Sequence, residues 1–370
     1  MYLYLVTLLV SLFAFSAVAA EPPIRLGMSA PLSTKAGALG KDYRDGANLV
    51  FQQANISGGI QGRPIELVCL DDGYEPVQTV NNTRQLLSDP KLSALFGYVG
   101  TPTVNAVLPL LRKSRVPFIA PFTGAQLIRQ SQDDFVFNFR ASYAEEIQRQ
   151  VAQLVDQQGI RRIGLLVQAD EFGASVERLI LDALKQRQLS PLIITRYQRN
   201  TDDIGTAVHQ LRSASLELVM TVGHYQAIAN AIETAQQHDF HPAYSVVSFT
   251  GVTELRKKLK PPYVVYASTV MPFPEANSAS RLVQAYLAAA RKTGSHTPSD
   301  VGLEGFTSAT LVMSALKACG KDISRQCLLK QLPLQRIDDF PLSYQMHSHQ
   351  ASDQVFMFRM TEKSVTEIFE

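Results

Sequence analysis

From residue 24 onward, short apolar runs of strand length alternate with amphipathic stretches of about 12 to 18 residues, which argues for parallel α/β architecture. Strands are predicted at 24–28, 65–70, 92–96 and 117–120, with helices at 41–55, 77–88 and 103–113 between them. Gly58-Gly59-Ile60-Gln61-Gly62 follows the first helix, where glycine supplies the positive φ that a helix C-terminus often takes. A second series begins near residue 142, with helices at 144–157, 174–187, 204–212 and 227–236 and strands at 163–168, 191–195, 218–222, 244–247 and 264–267. The fold class expected is therefore α/β, with two doubly wound, Rossmann-like lobes, and 370 residues accommodate both. Helices at 280–291 and 304–318 and strands near 342–346 and 354–360 are too few for a third lobe and are expected to complete the two sheets.

Residues 1–20 carry no charged side chain, and 17 of them are apolar. The run approaches the length of a bilayer span, but Ala17-Val18-Ala19-Ala20 before Glu21 offers the small residues of a cleavage site. Residues 1–20 are accordingly assigned as a signal peptide cut after Ala19 or Ala20, although no Lys or Arg precedes the apolar run. No cysteine stands near residue 20 to take a lipid, and no later segment reaches about 18 consecutive apolar residues, so a soluble periplasmic protein is expected. That compartment permits disulfides. Cys319 and Cys327, flanking a turn at Gly320-Lys321-Asp322, are the candidate pair, whereas Cys69 ends a strand pattern and is expected to be a buried free thiol.

The 35 Lys+Arg nearly balance 33 Asp+Glu. A pI of about 8.3 with scattered basic residues argues against nucleic acid as a partner. No GxGxxG follows a strand, and P-loop, GxSxG and HExxH motifs are absent, so no enzyme is expected. His238/His241 and His347/His349 are closely spaced but have no carboxylate or Cys set around them, so neither metal nor cofactor is expected. Asp71-Asp72 precedes the turn Gly73-Tyr74-Glu75-Pro76 and is expected to cap the next helix.

In open α/β sheets ligands bind beyond the carboxyl ends of strands. Gly97-Tyr98-Val99-Gly100-Thr101-Pro102 occupies such a place, with Thr101 the expected N-cap and Pro102 the expected first helical residue, a start that suits a carboxylate. Pro121-Phe122-Thr123-Gly124-Ala125 follows the next strand, Asp170-Glu171-Phe172-Gly173 stands at the matching place in the second series, and His224-Tyr225 and Phe249-Thr250-Gly251 follow later strands.

Together these motifs resemble the type I periplasmic binding proteins of the leucine/isoleucine/valine-binding class, the solute receptors of ABC importers. The resemblance opens at Gly27-Met28-Ser29-Ala30-Pro31-Leu32-Ser33, runs through Asn55-Ile56-Ser57-Gly58-Gly59-Ile60-Gln61-Gly62-Arg63-Pro64-Ile65 and Asp71-Asp72-Gly73-Tyr74-Glu75-Pro76, and is completed by the loops at 97–103, 121–125 and 170–173. It implies that Gly100 and Thr101 hold a ligand carboxylate, that Phe122 with Thr123 or Gly124 meets an amino group, and that Phe172 closes from the second lobe. His224 or Tyr225 supplies a further ring position, and Leu39 falls where amino-acid binders carry an aromatic. Two departures stand out. Thr250 replaces the acid that pairs with the ligand ammonium, which brings aliphatic or aromatic acids in beside amino acids. Tyr74 and Gly100 occupy positions of a disulfide found in some relatives.

The resemblance also implies a hinge of three crossings, near residues 142, 271 and 352, so that lobe 1 is 21–142 plus 272–352 and lobe 2 is 143–271 plus 353–370. Hinge closure would bury a small carboxylate-bearing ligand, and the expected partners of this monomer are that ligand and an ABC permease. The alternative function is a ligand-binding sensory module working with a separate signalling receptor.

Overall fold

The computed structural model describes residues 22–130, 132–201, 203–294, 296–337, 340–342, 344 and 349–368; the assigned signal peptide, His347 and most of the strand expected at 342–346 lie outside them. The first lobe is built from β1 (Ile24–Ala30), α1 (Gly37–Ile56), β2 (Ile65–Asp71), α2 (Pro76–Leu87), β3 (Leu92–Phe96), α3 (Thr101–Ser114), β4 (Phe118–Ile119) and β5 (Val136–Phe137). The second contains α4 (Tyr143–Val151), β6 (Ile163–Gln168), α5 (Glu171–Lys185), β7 (Ile193–Tyr197), α6 (Gly205–Arg212), β8 (Leu218–Val222), α7 (Tyr225–Gln237), β9 (Ala243–Val246), α8 (Val252–Lys258) and β10 (Val264–Thr269). Then come α9 (Arg281–Thr293), α10 (Asp300–Cys319), α11 (Arg325–Gln331), β11 (Phe356–Thr361) and β12 (Val365–Glu367).

The first sheet is parallel, in the order β2-β1-β3-β4-β5. The second runs β12-β11-β10-β9-β8-β6-β7, so its parallel part repeats the first sheet's order, and β11 and β12 add an antiparallel edge. Strand order reverses between β1 and β3 and again between β6 and β8, which gives each lobe a switch point where the loops diverge. β3, β6 and β8 are buried at every position because helices cover both sheet faces, and this is why they appear in the sequence as unbroken apolar runs.

Among the described residues the C-terminal segment adds to the two sheets unequally: β11 and β12 extend the second, Gln350 makes a parallel bridge to Asn138 just beyond β5 of the first, and α10 lies along α1 of the first lobe. That packing is backbone to backbone: a Cβ on Gly46 would lie 1.9 Å from the Gly302 carbonyl oxygen, and one on Gly305 2.1 Å from that of Tyr43. A disulfide joins Cys319 to Cys327 across a Cα separation of 5.9 Å and ties the end of α10 to α11. Cys69 is half-buried rather than fully buried, with burial pushing its thiol up to about 12.

Two helix starts differ from expectation. Gly100, not Thr101, is the N-cap of α3; its φ of 103° and a Cβ position 2.2 Å from the Tyr74 ring require glycine there. Asp71 and Asp72 do not cap α2. Their carboxylates fix the turn instead, Asp71 accepting from the Leu32 and Gly73 N–H and Asp72 from the Tyr74 N–H and the Ser29 hydroxyl.

Candidate functional site between the lobes

The loops at the carboxyl ends of β3 and β4 are held together by backbone hydrogen bonds from Gly100 N to Phe122 O (3.2 Å) and from Phe122 N to Tyr98 O (2.7 Å). This brings two buried hydroxyls, Thr101 Oγ1 and Thr123 Oγ1, to 2.7 Å. Thr123 Oγ1 also accepts from the Ala125 N–H and lies 3.4 Å from the Tyr143 hydroxyl. Gly124 is set by close approach, since a Cβ there would lie 2.7 Å from the Tyr143 nitrogen. In the second lobe Asp170 caps α5 by accepting from the N–H groups of Phe172 and Gly173, which fixes the Phe172 ring in the gap.

Phe249, on the turn Ser248–Thr250, joins these parts. Its ring centroid lies 4.7 Å from Phe172, 5.5 Å from Phe122 and 6.0 Å from Tyr74, so rings from both lobes meet on it. The lobes are closed on one another. The cavity bounded by Phe122, Ser248, Thr269, Asp300 and Glu304 measures about 10 Å³, room for about one water.

Arg140, fully buried in the crossing after β5, has its guanidinium 4.5 Å from the Phe122 ring centroid and donates to the Ser248 hydroxyl. Its Nε is 3.6 Å from Glu304 Oε1 and its Nη2 is 3.9 Å from Glu146 Oε1. Burial opposes charge on Arg140, but Glu304 and Glu146 outweigh it and hold the guanidinium above its ordinary value. Burial lifts Glu304 to about 7 despite Arg140. It also raises Glu146, which accepts from the Ser248 N–H and from the hydroxyls of Ser248 and Ser268.

A model of the family described as periplasmic binding protein matches residues 23–364. The chain belongs to that family. A possible leucine/isoleucine/valine-binding protein from Rhodopirellula baltica SH 1 is 30% identical, with a TM-score of 0.88 over 96% of this chain and 98% of that one. A substrate-binding periplasmic protein from Ralstonia solanacearum is 26% identical, with a TM-score of 0.87 over 93% of this chain and 100% of that one. The Leu/Ile/Val-binding protein homolog 7 of Brucella suis biovar 1 is 23% identical over 65% of this chain, and the match spans 62% of that relative's length. The family binds substrates and is periplasmic. Among the described residues no helix is long and apolar enough to cross a membrane.

In this periplasmic binding protein the ten positions singled out from sequence fall into two groups. Gly100, Thr101, Phe122, Thr123, Gly124 and Phe172 surround the ring cluster. Leu39 and Tyr225 meet at a second contact, where the Tyr225 hydroxyl accepts from the Ala38 N–H at 3.3 Å and Leu39 Cδ2 lies 2.6 Å from a Cβ placed on Gly251. Thr250 donates to the Gly223 carbonyl at 2.9 Å, and the His224 ring packs 5.9 Å from Tyr225. Sequence reasoning missed Phe249 as a ring of the cluster and missed Arg140, Tyr143 and Glu146 altogether. The only sequence signal for the last three was the capping box Ser142-x-x-Glu145 that starts α4.

Proposed function

We propose that this chain is the extracytoplasmic solute-binding protein of an ABC importer, closing on a small carboxylate-bearing ligand between lobe 1 (21–142 plus 272–352) and lobe 2 (143–271 plus 353–370). The observation that carries the reading is the meeting of the Thr101 and Thr123 hydroxyls at 2.7 Å at the start of α3, on the loop whose Phe122 packs on Phe249 and, through it, on Phe172. Paired hydroxyls and the positive end of a helix suit a carboxylate, and the rings suit an apolar body. Gly100 and Thr101 bind the carboxylate; Phe122, Thr123, Gly124 and Phe172 shape the remainder; Leu39, His224, Tyr225 and Thr250 line the far side. The permease reads the closed form.

The ligand favoured lacks an ammonium. Thr250 carries no charge, and nearby carboxylates already have partners: Asp170 the Phe172 and Gly173 N–H groups, Asp300 the Val252 and Thr253 N–H groups, Glu304 Arg140. Titration calorimetry against leucine, isoleucine and valine and against 4-methylpentanoate and phenylacetate tests this. Binding of the simple acids over the amino acids is expected, the reverse order would return the amino-acid ligand, and no binding at all would overturn the carboxylate reading.

A further inference from the structure

We propose that Arg199 and Asn200 form a latch across the mouth of the cleft and that Arg199, acting through Asp170, positions Phe172 in the closed form; this rests on the ligand-binding reading above. Both residues lie in the loop after β7 of the second lobe and reach the loop after β2 of the first. Arg199 Nη2 is 3.0 Å from Glu75 Oε2 and its Nη1 is 3.1 Å from Asp170 Oδ2. Asn200 Nδ2 donates to Glu75 Oε1 at 2.6 Å and to the Gly73 carbonyl at 3.1 Å. The Arg199 guanidinium also lies 5.8 Å from the centroid of the Tyr74 ring, which belongs to the cluster in the cleft.

The two loops are shaped for this meeting. Asn200 has φ of 59°, a left-handed conformation that asparagine tolerates better than most residues, and opposite it Gly73 and Tyr74 have φ of 59° and 62°. Glu75 stands at the N-cap of α2 without making a side-chain cap bond, and the hydrogen bonds described for its carboxylate all come from the other lobe. Opening the cleft would strip those bonds from Glu75 and leave the Arg199–Asp170 pair intact, because that pair lies within one lobe. Asp170 divides its oxygens, Oδ1 on the Phe172 and Gly173 N–H groups and Oδ2 on Arg199 and the Gln168 side-chain amide, the latter at 2.6 Å. Arg199 thus connects the lobe-closing ion pair to the backbone that carries the Phe172 ring.

The test uses the full mature chain and reads two quantities. The first is the closed fraction of the ligand-free protein, from fluorescence energy transfer between dyes on Lys113→Cys and Gln210→Cys in a Cys69→Ser background. The second is affinity for whichever of leucine, isoleucine, valine, 4-methylpentanoate and phenylacetate the wild type binds. Glu75→Ala, which removes no helix cap, is expected to lower the closed fraction and weaken affinity about fivefold with an unchanged melting temperature. Glu75→Gln, which keeps an acceptor for Asn200, should recover part of that loss. Arg199→Ala should weaken affinity further, by about tenfold, because it also removes the cation held against Asp170 Oδ2 and leaves that oxygen the Gln168 amide. An unchanged closed fraction and affinity in Glu75→Ala would overturn the latch. If the wild type binds none of the probes, the ligand reading fails, while the energy-transfer comparison of the ligand-free proteins still decides the latch.

Discussion

The hydroxyl of Thr101 sits one position inside α3 rather than at its cap, and this changes what its removal should do. A cap loss does not apply. Thr101→Ala gives up one buried hydrogen bond to Thr123, about 0.5–1.5 kcal/mol net, and should weaken ligand binding at least tenfold by calorimetry while the urea midpoint moves little. Unchanged affinity would remove Thr101 from the site. Glu304 makes a second prediction, through pH. Burial raises its carboxyl from 4.5 to about 7, so the folded chain holds that proton more tightly than the unfolded one. Its stabilisation is complete below about pH 4.5 and is lost as pH rises toward 7, on the order of 3 kcal/mol in all. The difference in unfolding free energy between wild type and Glu304→Gln should therefore slope downward across that window and flatten above it. A flat difference throughout would mean that Glu304 is ionised in the fold. Glu304 was a single acid in an apolar helical pattern, and nothing in the sequence assigned it Arg140 as a partner.

Elements with an unbroken apolar run or a strong helical period were legible in the chain: β3, β6 and β8 match the expected ranges residue for residue. Those that were missed are short or set by tertiary context. β5 has two residues, α8 and α11 seven each, and β12 three, so none carries enough periods to register. The loops around the cleft were recognised from their order along the chain, but Phe249 as a ring of the cluster was not, because its role depends on Tyr74, Phe122 and Phe172 arriving from three other loops. At this scale the disulfide between α10 and α11 can be tested directly. Its cysteines stand eight positions apart, and a loop of that size corresponds to about 2–3 kcal/mol by chain entropy. Cys319→Ser/Cys327→Ser should lower the unfolding free energy by roughly that amount in urea melts. Because the bridge lies on α10 and α11 and touches none of the cleft residues, ligand affinity should not change.

For the whole molecule, the open-to-closed equilibrium is the quantity a ligand must move, and it can do so only through contacts that exist in one state and not the other. Asp300 makes such a contact. It stands in the first turn of α10, on the first lobe, and its two carboxylate oxygens accept from the Val252 and Thr253 N–H groups at the start of α8, on the second, both at 2.9 Å. The Thr253 hydroxyl accepts in return from the Asp300 N–H at 3.2 Å. One lobe therefore caps a helix of the other, and opening the cleft leaves those N–H groups without the carboxylate. Asp300→Ala should shift the protein toward the open form and weaken affinity about tenfold, because apparent affinity scales with the fraction already competent to bind. Glu75→Ala acts on the same equilibrium from a different contact. If both substitutions work only by favouring the open form, their fold-changes should multiply in the double variant, and scattering from the ligand-free proteins should become more extended in the same order. A double variant no weaker than Asp300→Ala alone would show that the two contacts form and break as one unit, which would make closure a single concerted step rather than the sum of separate contacts.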